Sequence, residues 1–217
     1  MKRLFLCDFD GTISLKDVSH HLLTTFTNDN WQEIEHDFIS GRLGSKEAYE
    51  RVARLLKGSW KELHDYARDY TGLDPYFQEF YHLCKENDIA VKIVSDGFDF
   101  YISALLDKYN LGEIEFFSNQ LISKPEGGFD MKFPYYNPEC CLSGTCKGSV
   151  VSDFRQTYDH ISFVGNGISD RCGASRADTI FAKGVLYQYC QKKGLDCFQW
   201  ESFLDIINIL KHELSQK

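Results

Sequence analysis

An α/β fold with a mostly parallel sheet is predicted by three observations. Four short runs rich in apolar residues, 4–7, 90–94, 161–164 and Thr179–Ala182, are bounded by turn residues, as strands buried on both faces are. Stretches with helical spacing lie among them at 76–86, 100–109, 148–158 and 185–192, and an amphipathic pattern over 200–214 closes the chain. Strand–helix alternation of this kind implies right-handed crossovers within one sheet.

Between the first two strands the rhythm breaks. Residues 14–74 show no convincing strand, only helical material such as "NWQEIEHDFISG" and "SKEAYERVARLLKG", and read as a helical insert after the first strand. A second irregular stretch, "LISKPEGGFDMKFPYYNPECCLSGTC", holds three of the four prolines and reads as a hairpin followed by a loop. Ligands of open α/β sheets bind at the carboxyl ends of strands, so the chemistry is expected there.

The 217 residues suit one domain or one domain with an insert. A net charge of −8 without a basic stripe argues against a nucleic-acid partner. The apolar runs are strand-sized, so no membrane partner is expected, and the apolar part of "MKRLFLCDFD" is too short for a signal peptide. The expected location is cytoplasmic, with the eight cysteines reduced.

Four motifs carry chemistry. "DFDGT" places Asp8 and Asp10 two residues apart at a strand end, where a carboxylate can act as a nucleophile or simply cap a turn. "VKIVSDGFD" puts Ser95 directly after a strand, with Gly97 opening a helix; this suits an anion site or an ordinary N-cap. Lys147 stands where the next helix should begin and can serve as a point-charge phosphate binder or as a solvated surface group. "ISFVGNGISDRCGA" sets Asp170 in the first turn of a helix, either as a metal-site carboxylate or as a charge favoured by the helix dipole. Hard oxygen ligands beside Asp8 and Asp10 suit Mg²⁺.

In this order, and with the wording "IVSDGFD" and "FVGNGISD", the four motifs resemble the haloacid dehalogenase-like superfamily in its phosphoserine-phosphatase-like branch, across nearly the whole chain. The resemblance implies a Rossmann-like parallel sheet core at 1–13 and 75–217, with 14–74 as a helical cap domain. It implies that Asp8 attacks phosphorus to form an aspartyl-phosphate, and that Asp10 protonates the leaving oxygen and later activates water. Ser95, with its neighbours Asp96 and Gly97, and Lys147 would hold the phosphoryl group. The cofactor would be Mg²⁺, set among Asp8, the Asp10 backbone carbonyl and the turn carrying Asn166 and Asp170. The partner would be a small phosphorylated metabolite, and a homodimer is compatible with this reading.

One departure matters: the branch usually has Asp where this chain has Asn166. Either Asn166 is a neutral ligand supported by Asp170, or Asp170 takes over, or the metal site is weakened. The competing class is therefore a catalytically silent phosphate-binding protein. Within the branch, "GISDRCGA", "FAKGVLYQYCQKKGLDC" and "FQWESFLDI" look most similar to the methionine-salvage phosphatases that act on 2-hydroxy-3-keto-5-methylthiopentenyl 1-phosphate. Phosphoserine is the alternative substrate, with Asp17 and Arg51 meeting its amino and carboxylate groups unless both are plain helix charges. Phosphoethanolamine/phosphocholine phosphatases are further relatives that carry a Cys-rich stretch before the lysine. "CCLSGTC" raises a metal-thiolate question for Cys140, Cys141 and Cys146 together with Cys172. Adjacent cysteines rarely share one tetrahedral zinc and no C-x-x-C occurs, so unmetallated thiols are the expectation.

Overall fold

A strand with no polar alternation must be covered on both faces, and β1 (Arg3–Cys7) is buried along its whole length. Phe5 and Cys7 point into one core cluster, and Leu4 and Leu6 point into the other. The computed structural model describes residues 1–27, 31–140 and 143–216. After β1 come α1 (Val18–Phe26), α2 (Trp31–Ile39), α3 (Ser45–Ala53), α4 (Trp60–Tyr70) and α5 (Phe77–Glu86). Then follow β2 (Ile89–Phe98), α6 (Asp99–Lys108), β3 (Phe116–Ser123), β4 (Phe129–Lys132), α7 (Lys147–Phe154) and β5 (His160–Gly165). The chain ends with α8 (Arg171–Ala174), β6 (Thr179–Ala182), α9 (Gly184–Lys193), β7 (Phe198–Gln199) and α10 (Phe203–Ser215).

The seven strands are ordered β4-β3-β2-β1-β5-β6-β7. All neighbours are parallel except β3 and β4, which form the antiparallel hairpin. Cys7, the last residue of β1, pairs with Ile93 on one side and Val164 on the other. The chain leaves β1 toward β2 and returns on the opposite side as β5, so a crevice opens beyond Cys7, where the strand order switches direction. Among the described residues, no helix is long and apolar enough to cross a membrane.

The stretch 14–74 leaves and rejoins the core along a paired stem. Leu15 N–H donates to the Gly72 carbonyl at 3.0 Å and Asp74 N–H to the Ile13 carbonyl at 2.8 Å. Its helices pack back over the sheet ends, α4 on α6 and α3 on β4. Trp60 meets Phe100, with ring centroids 5.2 Å apart, and Ser45 Oγ accepts from Gly144 N–H at 2.8 Å.

Several sequence expectations need correction. Gly97 does not open a helix: residues 95–98 stay extended and α6 begins at Asp99. The last helix starts at Phe203 rather than 200, because the Asp205 carboxylate accepts from the N–H groups of Glu201 and Ser202, capping the helix there and leaving Trp200 as a buried core residue. The helix expected over 148–158 ends at Phe154, whose carbonyl closes a turn with Thr157 and Tyr158. The first half of β3 has no sequence signal, since Ser118 and Asn119 interrupt its apolar pattern yet are buried.

Phe80 is fully buried, 5.0 Å from Phe5 and 4.9 Å from Phe203 between ring centroids, and so joins α5, β1 and α10. Phe80→Ala should cost about 3–5 kcal/mol, read as a lower urea midpoint with an unchanged slope.

Candidate active site

The site starts where β1 runs out of partners. Asp8 N–H still donates to the Val164 carbonyl at 2.9 Å, and then the chain turns sharply over residues 9–13. Gly11 takes a left-handed φ of +68°, and a Cβ there would sit 2.5 Å from Asn166 Nδ2, so any other residue would be strained and would displace Asn166. Ser14 locks the turn by donating to the Phe9 carbonyl at 3.1 Å and accepting from Gly11 N–H at 3.3 Å.

Beneath the turn lies a buried three-charge cluster. Lys147 Nζ, fully buried, donates to Asp8 Oδ1 at 2.6 Å and to Asp170 Oδ1 at 2.5 Å. Asp8 Oδ2 accepts from Thr12 Oγ1 at 3.1 Å. Asp170 Oδ2 accepts from the N–H groups of Asn166 at 2.8 Å and Gly167 at 2.7 Å. Burial pushes the Asp8 carboxyl up to about 7; the Asp170 charge adds to this and Lys147 opposes it. Burial alone would lower Lys147, but Asp170 and Asp8 together hold its ammonium above the usual lysine range.

Asp10 sits across the turn from that cluster. Its Oδ1 accepts from Val18 N–H at 2.8 Å, and its Oδ2 accepts from the Tyr101 hydroxyl. Burial, and then the Asp17 charge, hold Asp10 well above the usual carboxylate range. Gly97 is required for space: a Cβ there would collide with the Tyr101 hydroxyl and lie 2.6 Å from Asp10 Oδ2. Pairing of β2 with β3 is interrupted between Val94 and Phe98, which frees Ser95, Asp96 and Gly97 from the ladder. Ser95 Oγ accepts from Gly97 N–H at 3.0 Å. The Asp96 carboxylate accepts from Thr145 N–H at 2.9 Å and Asn119 Nδ2 at 3.1 Å, although burial raises its pKa.

These groups line a cleft of about 240 Å³ bounded by Asp8, Asp10, Asp17, Ser95, Asp96, Gly97 and Asn166. It adjoins a cavity of about 120 Å³ among the helices of the 14–74 stretch, lined by Leu23, Trp31, Ile34, Phe38, Ala48, Tyr49 and Val52 together with Asp17. Asn166 borders the cleft, whereas Asp170 lies behind it, with both oxygens engaged. Arg51 borders neither cavity; it is exposed and pairs with Glu47 at 2.6 Å. Asp17, exposed at the mouth, caps α1 by accepting from His20 N–H at 2.9 Å.

Acids crowd the cleft, while the one ammonium beneath it is already shared by two carboxylates. That excess of hard, negative oxygen donors fits a divalent cation such as Mg²⁺. Sequence reasoning missed Tyr101, Asn119, Thr145 and Tyr49. Only Thr145 lies in a stretch singled out above, "CCLSGTC", and there for its cysteines; each of the four reaches the site from a separate element. The one available signal was a buried-looking tyrosine two residues after the "SDGFD" stretch.

The family model described as "Putative Phosphatase" matches residues 3–184. The 2-hydroxy-3-keto-5-methylthiopentenyl-1-phosphate phosphatase of Geobacillus kaustophilus is 31% identical, covering 97% of this chain and 96% of that protein. Pdp3-interacting factor 1 of Schizosaccharomyces pombe is 28% identical over 94% of this chain and 93% of its own length. Among solved structures, a substrate-bound phosphoserine phosphatase superposes with a TM-score of 0.71 at 20% identity, over 96% of this chain and 98% of that one, which shows the shared fold. The chain belongs to this phosphatase family and is a phosphatase.

Proposed function

We propose that this protein hydrolyses a small phosphate monoester through an aspartyl-phosphate on Asp8, with Mg²⁺ as cofactor, in the cytoplasm. The observation that carries this reading is the pairing of unlike carboxyls: Asp8 is held beside Lys147, and Asp10 is held away from any cation, between Val18 N–H and the Tyr101 hydroxyl. When bound, Mg²⁺ would be held by Asp8, the Asp10 backbone carbonyl and Asn166, and would neutralise charge on the transferring group. Asp8 attacks phosphorus while the ester P–O bond breaks, and Asp10 gives its proton to the departing oxygen. Water then attacks the aspartyl-phosphate, Asp10 takes back a proton, and inorganic phosphate leaves with Asp8 restored. Ser95, Asp96 and Gly97 border the phosphoryl position, and Lys147 keeps Asp8 oriented from below. The helices of 14–74 act as the cap, shielding the reaction from water and presenting the adjoining cavity to the leaving group.

That cavity supports a methylthio-ketopentenyl phosphate, the substrate named for the Geobacillus relative. Its walls are mainly aliphatic and aromatic, and neither cavity is lined by a lysine or arginine among the described residues. A phosphoserine carboxylate would meet there only His20, which is already paired with Glu35 at 2.8 Å. A phosphocholine head is the second reading, favoured by Trp31 and Tyr49 beside Asp17. Comparing kcat/KM for the three esters ranks these readings, and the thioether ester should lead.

Asp8→Asn should lower turnover roughly a thousandfold or more with the fold kept, since Lys147 retains Asp170. Asp10→Asn should cost on the order of 10²–10⁴. Substantial activity in Asp8→Asn would exclude the covalent route.

Asn166 and Asp170 separate by metal titration. A unit charge about 4 Å from another contributes on the order of 4 kcal/mol at an effective dielectric near 20, twice that for a divalent ion, before desolvation offsets most of it. Asn166→Asp should therefore lower the Mg²⁺ concentration for half-maximal activity by about one to two decades. Asp170→Asn should instead lower kcat and stability with little change in that concentration, because it strips Lys147 of a partner.

Ala48→Phe should fill the cap cavity. It should cut kcat/KM for the thioether ester about tenfold, worth about 1.4 kcal/mol, and leave acetyl phosphate nearly unchanged. Equal losses on both would remove the leaving group from that cavity.

A further inference from the structure

Beside the phosphate cleft, a second constellation has no part in the hydrolysis. Cys140, Cys146 and Cys172 bring their Sγ atoms within 4.8 Å of one another. They come from three places in the chain: the loop after the hairpin, the N-cap of α7, and α8 beyond β5. Each sulfur accepts from a donor. Ser149 N–H and Oγ approach Cys146 Sγ at 3.4 and 3.2 Å, Gly148 N–H approaches Cys172 Sγ at 3.3 Å, and Arg176 Nη1 approaches Cys140 Sγ at 3.0 Å.

Three converging thiolates call for a soft cation. Tetrahedral Zn–S bonds of about 2.3 Å place sulfurs roughly 3.8 Å apart, so the observed cluster closes on one ion with small side-chain shifts. Magnesium is excluded by ligand type, since thiolate selects zinc-like ions and leaves Mg²⁺ to carboxylates. Cys146 is buried, while Cys140 and Cys172 are half-buried, so an ion can reach the sulfurs from solvent. Charge balances as well. Three protons leave, three thiolates with Zn²⁺ carry −1, and Arg176 supplies +1. We propose that Cys140, Cys146 and Cys172 bind one zinc ion that staples the loop before Lys147 to α8.

The consequence is positional. Cys146 immediately precedes Lys147, and Cys172 lies two residues after Asp170, so the ion would clamp together the two segments whose charges meet under Asp8. The adjacency of Cys140 and Cys141 made zinc look improbable in the sequence, but the third sulfur comes from α8. Cys141 lies outside the described residues.

Untagged, metal-free, reduced protein titrated with Co²⁺ under anaerobic conditions tests this. The expected result is a sulfur-to-cobalt charge-transfer band saturating at one equivalent, bleached by one equivalent of Zn²⁺ and untouched by excess Mg²⁺. Cys146→Ser and Cys172→Ser should each weaken metal binding roughly tenfold or more, while Cys197→Ser, outside the cluster, keeps it. A second measurement needs no variant: Zn²⁺ should slow iodoacetamide alkylation of Cys172 about tenfold in the wild-type chain, and a chelator should restore it. Absence of the charge-transfer band, its survival in both serine variants, or a Cys172 alkylation rate indifferent to zinc would each overturn the proposal.

Discussion

Everything in the site leans on one buried ammonium. Lys147 is fully enclosed, and the two carboxylates it bonds are almost so. Desolvating three charges is unfavourable unless their geometry is good and the remaining oxygens find donors. Here they do: Thr12 serves Asp8, and the N–H groups of Asn166 and Gly167 serve Asp170. Because the three residues come from the end of β1, the start of α7 and the turn after β5, one ion cluster fixes the relative placement of three elements.

That constraint explains the glycines and the polar residues around it. The turn after β1 can pass over Lys147 only with Gly11 in the left-handed region, and Asp10 can meet Tyr101 only with no side chain at position 97. Asp96, held by Asn119 and Thr145, ties the hairpin and the loop before α7 to the same rim. A cleft so rich in carboxyls has its charge neutralised from below at a single point, which is the electrostatic condition under which a divalent cation binds well.

A neutral side chain at position 166 is intelligible in this setting. The acid that remains in the turn, Asp170, is turned inward to Lys147 and cannot also face the cleft without breaking that pair. Asn166 stands at the cleft wall without adding a further charge to a site that already pushes Asp8 and Asp10 upward. The two linings are divided in space: polar groups cluster at the strand ends, and apolar groups lie across the mouth on α1, α2 and α3.

The sequence by itself determined the parallel sheet, because strands buried on both faces must be apolar throughout and so stand out, as residues 4–7 and 161–164 do. It also determined the principal acids and the lysine, because each sits at the junction of a strand or helix with a turn, where motif spacing is local. Tertiary structure alone decided what each charge faces. Asn166 and Asp170 are four residues apart with one on the cleft and one behind it, and Asp17 and Arg51 look alike as helix charges though only the first reaches the mouth. Tyr101 and Asn119 were invisible for the same reason, and the convergence of Cys140, Cys146 and Cys172 was legible only as a question: they gain their roles from partners distant in the chain, and no local period records such contacts.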